Sequence, residues 1–178
     1  MGCPVNFSGL AVSYACGEIA SGGLKSVYLM NKADIDATVA AGELTFATAP
    51  TAGDAIGLGF NNKDGFSNFT DVKTVNADGT SSVVPTIQIE FLRMNLDKRN
   101  ALDSIAIPGA ELVAFVETAA GTLHVVGYDF GLYASSVDGA SGASRADKNR
   151  YQLTLTGEEN VLSYSIGQAE FDKVVAAA

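Results

Sequence analysis

YQLTLTGEE (Tyr151–Glu159) alternates strictly: Tyr151, Leu153 and Leu155 fall on one side, Gln152, Thr154 and Thr156 on the other. Successive side chains of a strand point to opposite faces, so the stretch spells a strand with one apolar face for a core. Its second face is polar, small and nearly uncharged. The preceding residues, SGASRADKNR (Ser141–Arg150), form a small-residue loop that ends in the charged cluster Arg145, Asp147, Lys148 and Arg150. What a face of Gln and Thr looks at is the question the chain poses.

Strand-like runs dominate the rest. LAVSYAC (Leu10–Cys16), LKSVYLM (Leu24–Met30), ELTFAT (Glu43–Thr48) and FTDVKTV (Phe69–Val75) precede the turn NADGT and the longest run, SVVPTIQIEFLRM (Ser82–Met94). Pro85 marks the start of that run as an edge or a bulge. ELVAFVE (Glu111–Glu117), LHVVGYDFGLYASS (Leu123–Ser136) and VLSYSI (Val161–Ile166) read as further strands, and AEFDKVVAAA as a frayed or helical tail.

One segment, NLDKRNALDSIA, reads as a helix. Asn95 is a natural N-cap, Asp97 sits near the positive helix end, and Leu102, Ile105 and Ala106 share one side. Pro108–Gly109 stops it. Many strands, one helix and then strands again is not the alternation of a parallel α/β sheet. The expectation is a mainly β fold: an antiparallel sandwich or barrel with one flanking helix. The whole chain, 1–178, reads as one domain, with extended arms at about 49–65 and 137–149.

Composition narrows the function. The chain has 178 residues, 47% hydrophobic and 17% charged, so its surface is built from Ser, Thr, Gly and Ala. Such a surface costs little to desolvate and suits either a neutral domain or a member of an assembly. The net charge of −9 leaves no means of gripping phosphate beyond weak basic clusters at Lys98–Arg99 and Arg145–Arg150. No run approaches the length of a membrane-spanning helix. Residues 1–30 lack a basic start followed by an apolar run, so folding in a cytoplasm is expected. Cys3 and Cys16 either bridge an N-terminal hairpin or stand as free thiols, and with His124 the only histidine no zinc site is expected.

Catalytic signatures are missing from the sequence. His124 lies inside an alternating strand with no nucleophile motif beside it, and reads as a structural histidine rather than a base. GLGF (Gly57–Phe60) shares its letters with the carboxylate-binding loop of PDZ domains, but the order of elements does not match that fold. DGFSNFTD and NADGTSS miss the calcium-loop pattern. The expectation is a protein that is not an enzyme and carries no cofactor or metal.

The C-terminal half carries a resemblance. The series runs from the helix MNLDKRNALDSIA through the strand ELVAFVET and the hairpin GTLHVVGYDFGLYASS. The loop GASGASRADKNR and the strand YQLTLTGEEN complete it. It resembles the tail tube proteins of bacteriophages, those of Bacteroidetes hosts in particular. The matching positions are Ala146, Asp147, Asn149, Tyr151, Leu153, Thr154, Leu155, Thr156, Gly157 and Glu158; Arg150 departs, standing where the family has Gly. GGLKSVYLMNKADI (Gly22–Ile35) extends the likeness to roughly two thirds of the chain.

The resemblance implies a structural virion protein, made in the host cytoplasm and placed in the tail. It implies six copies closing into a ring, rings stacking into a tube beside other tail proteins, and DNA passing through without specific binding. Gln152, Thr154 and Thr156 would then line the lumen; the alternative is that they meet solvent. Arg145, Asp147, Lys148 and Arg150 would be contacts between subunits, with Asp54 and Asp64 as acids on a neighbour. Two other readings stand beside it: another phage structural protein (head decoration, head completion or a related injection tube), and a small β-type binding module.

Overall fold

The computed structural model describes residues 22–60, 66–144 and 147–178. The fold is mainly β. Among the described residues eleven strands run in chain order: β1 (Leu24–Asn31), β2 (Ala37–Ala40), β3 (Glu43–Phe46), β4 (Ala55–Gly57), β5 (Asn68–Val75) and β6 (Ser81–Leu92) come before the first helix. They are followed by β7 (Leu112–Thr118), β8 (Leu123–Val126), β9 (Leu132–Ala140), β10 (Arg150–Gly157) and β11 (Tyr164–Ile166). Two helices complete it, α1 (Leu96–Ile105) and α2 (Gln168–Ala177).

Strand pairing follows one path, β2-β3-β11-β8-β7-β9-β10-β6-β5, with β1 on the other edge of β7 and β4 beyond β1. The path doubles back at the single pair Leu112↔Leu132 between β7 and β9. Two layers result. Leu24, Val27 and Leu29 of β1 and Ala114 and Val116 of β7 meet Ile87 and Ile89 of β6 and Leu153 and Leu155 of β10 in one core, into which α1 sends Leu102. A second core lies on the far face of the first layer. There Met30, Val113, Phe115 and Val125 pack against Leu44, Phe46 and Phe171 and Val174 of α2. This explains why LVAFV (Leu112–Val116) is an unbroken apolar run: β7 is covered on both faces and every one of these residues is buried.

Four expectations change. The sheet is mixed, because β11 pairs with β3 in parallel through Ser165↔Glu43 and Ile166↔Leu44. A second helix lies among the described residues beside the one flanking helix expected: of the two readings of the tail, frayed or helical, it is helical, because Phe171, Val174 and Ala177 recur at helical spacing and find an apolar face to cover. The run Leu123–Ser136 is two strands, broken at Gly127–Gly131. Gly127, at φ +81°, turns the chain from one layer to the other, and a Cβ there would lie 2.5 Å from Leu132 Cγ. Finally, both arms hold strand: β4 lies within 49–65, and β9 continues to Ala140 against β10, leaving 141–149 as the connection. The segment Leu10–Cys16, both cysteines, Asp64 and Arg145 lie outside the described residues.

Candidate functional site

The sheet β9-β10-β6-β5 turns one face to the core and the other outward. Cross-strand register sets the outward rows. Asn68, Gln88, Thr154 and Ser136 form one, and Thr70, Thr86, Thr156 and Tyr133 the next. Gln152 stands between Glu90 and Asp138. Gln152, Thr154 and Thr156, singled out from the sequence, are therefore side by side at the middle of a broad amide and hydroxyl surface. They are half-buried, flanked on both sides by neighbouring strands. Asn68 Nδ2 donates to Gln88 Oε1 at 3.3 Å, and Thr156 Oγ1 donates to the Pro85 carbonyl at 3.2 Å.

Both edges of this four-stranded unit are open among the described residues. β5 pairs only with β6. β9 touches β7 through Leu132 alone, so its nine residues less that one leave eight, Tyr133–Ala140, without a partner strand on that side. β5 also has eight residues. All three internal pairings are antiparallel, so β5 and β9 run in opposite directions.

Of the charged cluster at the start of β10, Lys148 and Arg150 turn back onto their own chain. Lys148 Nζ lies 3.1 Å and Arg150 Nη1 2.6 Å from the two carboxylate oxygens of Glu90, and the Arg150 guanidinium stacks 4.8 Å over the Phe66 ring. Asn149 ties the same corner down: its carbonyl accepts from Arg93 N at 2.8 Å and its side-chain oxygen from Met94 N at 2.9 Å. The helix start is fixed alongside, where Asn95 Oδ1 accepts from Lys98 N at 2.9 Å. Asp147 accepts from the N–H groups of Ser144 and Ala143, which hold its carboxyl below the usual range. Asp54 likewise accepts from the Thr51 hydroxyl and N–H, which lower it in the same way. Each of these groups has a partner within its own chain.

Glu90 was not singled out from the sequence. Alternation in IQIEF puts it on the outward face, where an acid ordinarily meets water, yet it has 0% exposure. Ser67 helps to cover it, with its hydroxyl accepting from Glu90 N at 3.2 Å. The available signal was the two-residue spacing of Lys148 and Arg150, which places both cations on one side of the chain entering β10.

A second polar cluster joins the layers. Glu159 accepts from the N–H groups of Asp129 and Phe130 at 3.1 and 3.2 Å, and burial pushes its carboxyl up. Tyr164 donates to the Asp129 carboxylate at 3.1 Å, and burial raises its phenol as well. Asp71 Oδ2 accepts from both N and Oγ of Ser163. Lys32, Tyr128, Asp129 and Asn160 line an open cleft of about 490 Å³ beside this cluster, but Lys32 Nζ and the Tyr128 hydroxyl donate to the carbonyls of Asp129 and Ala37. These groups fasten loops to one another.

His124 is half-buried, packs against the Phe69 ring and lies 3.2 Å from the Thr122 hydroxyl; burial lowers its basicity, against the opposing charge of Asp71. Among the described residues no group of three His, Cys, Asp or Glu side chains is arranged to hold a metal ion, and no helix is long and apolar enough to cross a membrane. No family model, curated protein or solved structure matches the chain.

Proposed function

We propose that this chain is the structural subunit of a phage tail tube. Copies join side by side through the open edges of β9 and β5, six closing a ring, and rings stack into a channel for the genome. The observation that carries the reading is the four-stranded unit itself. It has a polar outward face and two open edges of equal length, and the edges run in opposite directions. An even number of alternating strands lets β5 of one copy meet β9 of the next in antiparallel pairing, so the same pattern repeats without a seam. Exposed edges are a liability for a lone sheet, and ring closure removes them.

The outward face then lines the bore. Asn, Gln, Ser and Thr hydrate well and carry no charge to hold phosphate, while Lys148 and Arg150 are committed to Glu90. An acidic chain repels the duplex at short range, within roughly 8–10 Å in physiological salt. Light scattering and negative-stain microscopy of the purified protein test the proposal. Rings or tubes with a central hole are expected; a stable monodisperse 18.3 kDa particle at high concentration would overturn it.

A further inference from the structure

The polar sheet carries exposed apolar side chains toward its β5–β6 hairpin end. Val72 and Val84, paired across β5 and β6, point outward and are 57% and 39% exposed. Val75, near the tip of the same hairpin, is 70% exposed but lies on the opposite face from Val72. At the opposite edge, Tyr133 and Phe130 are 53% and 55% exposed. They form one wall of a groove of about 270 Å³, whose other wall is Gly109, Ala110 and Glu111. Cross-strand register places the two patches one row apart: Tyr133 shares its row with Thr156, Thr86 and Thr70, and Val72 and Val84 form the next row toward the hairpin tip.

We propose that the valine end of the β5–β6 hairpin of one copy packs into the Phe130–Tyr133 groove of the next copy, making an apolar seam at each junction of the ring. The inference rests on the ring reading above and adds the register to it. The occupant follows from three observations: the groove opens beside the unpartnered edge of β9, and the edge that matches it in length and direction is β5. That edge also brings an exposed valine, Val72, one row from the level of Tyr133. In antiparallel pairing the directly opposite residue and its diagonal neighbours are within reach of an aromatic ring, so Tyr133 spans Thr70 and Val72. The hairpin alone has too little cover to bury Val72 and Val84, and Phe130 and Tyr133 beside the groove are more than half exposed.

Two single-cysteine variants test this, both with Cys3 and Cys16 changed to Ser: Val72→Cys and Tyr133→Cys. Mixed in equal amounts, assembled and oxidised, they should give a disulfide-linked dimer that neither variant gives alone, since the contact joins unlike surfaces. In parallel, Val72→Asp and Tyr133→Ser should each raise the protein concentration needed for rings by about tenfold or more, the equivalent of one buried side chain lost. Rings that cross-link through Thr74→Cys with Tyr133→Cys, and not through Val72→Cys, would overturn this register and leave the ring standing. A dimer from Tyr133→Cys alone, or a disulfide within one chain carrying both changes, would overturn the seam. If no rings form under any condition, both the seam and the ring fall.

Discussion

Arg150 Nη1 lies 2.6 Å from Glu90 Oε1, on a glutamate with no exposed surface. The pair crosses from the first residue of β10 to the outward face of β6, 60 positions apart in sequence. It fixes the mouth of the β9–β10 connection against the sheet. Breaking a buried ion pair by removing one partner costs about 3–5 kcal/mol. Lys148 and Arg150 keep 38% and 31% of their side chains in water, which reduces the effect. Glu90→Gln is therefore expected to lose about 2–3 kcal/mol in urea denaturation, with an unchanged slope. A loss below about 0.5 kcal/mol would mean that the corner is held by Asn149 and the strand pairing alone.

Gly157, the last residue of β10, passes close under the β8–β9 bend. A Cβ there would sit 2.6 Å from the Gly131 carbonyl oxygen and 3.1 Å from Leu132 Cδ2. The first of these is backbone and cannot rotate away. Gly157→Ala is expected to cost about 1–3 kcal/mol by thermal or urea unfolding. A neutral result would show that the bend moves freely relative to β10.

The two half-hidden titrating groups have opposite signs. Glu159 has its carboxyl raised by burial, so the folded chain takes up a proton before the unfolded chain does. Its contribution to stability grows as pH falls through the raised value toward the ordinary 4.5. His124 is lowered by burial, so the folded chain resists protonation and stability is lost as pH falls through 6.5. Against wild type, His124→Gln should lessen the loss below pH 6.5, and Glu159→Gln should remove the gain at lower pH. Unfolding midpoints measured from pH 8 to pH 4 check both; parallel curves for all three proteins would contradict the burial argument.

Phe171 anchors α2 in the second core, with its ring edge-on to Tyr28 at 5.6 Å between centroids. Phe171→Ala should cost about 3–5 kcal/mol. The loss is read by urea unfolding, and proteolysis should then begin within the ten residues of α2. An intact, protected tail in the variant would show that α2 is held by its other contacts.

Thr154 lies at the centre of the outward face, between Gln88 and Ser136. Under the proposed function, Thr154→Lys puts one cation per copy on the bore while its stem lies along the sheet. Assembly should be unchanged, DNA passage slower, and the delay relieved by added salt. Phage carrying the change with an unaltered infection rate would remove this face from the lumen.

The strands whose alternation is strong were readable in sequence, because the period of two is written in adjacent residues. YQLTLTGEE and PTIQIEF became β10 and β6 with the expected faces, LKSVYLM became β1, and Asn95 caps α1. The short strands β2 and β4 carry too few residues to show a period, and the Leu123–Ser136 run hid a bend at its glycines. Which strands pair, the parallel β3–β11 contact, the cover that α2 finds, and the burial of Glu90 were settled only in three dimensions. Each depends on residues tens of positions apart. A side chain's local pattern says which way it points, and whether water or another part of the chain waits there is decided by tertiary packing.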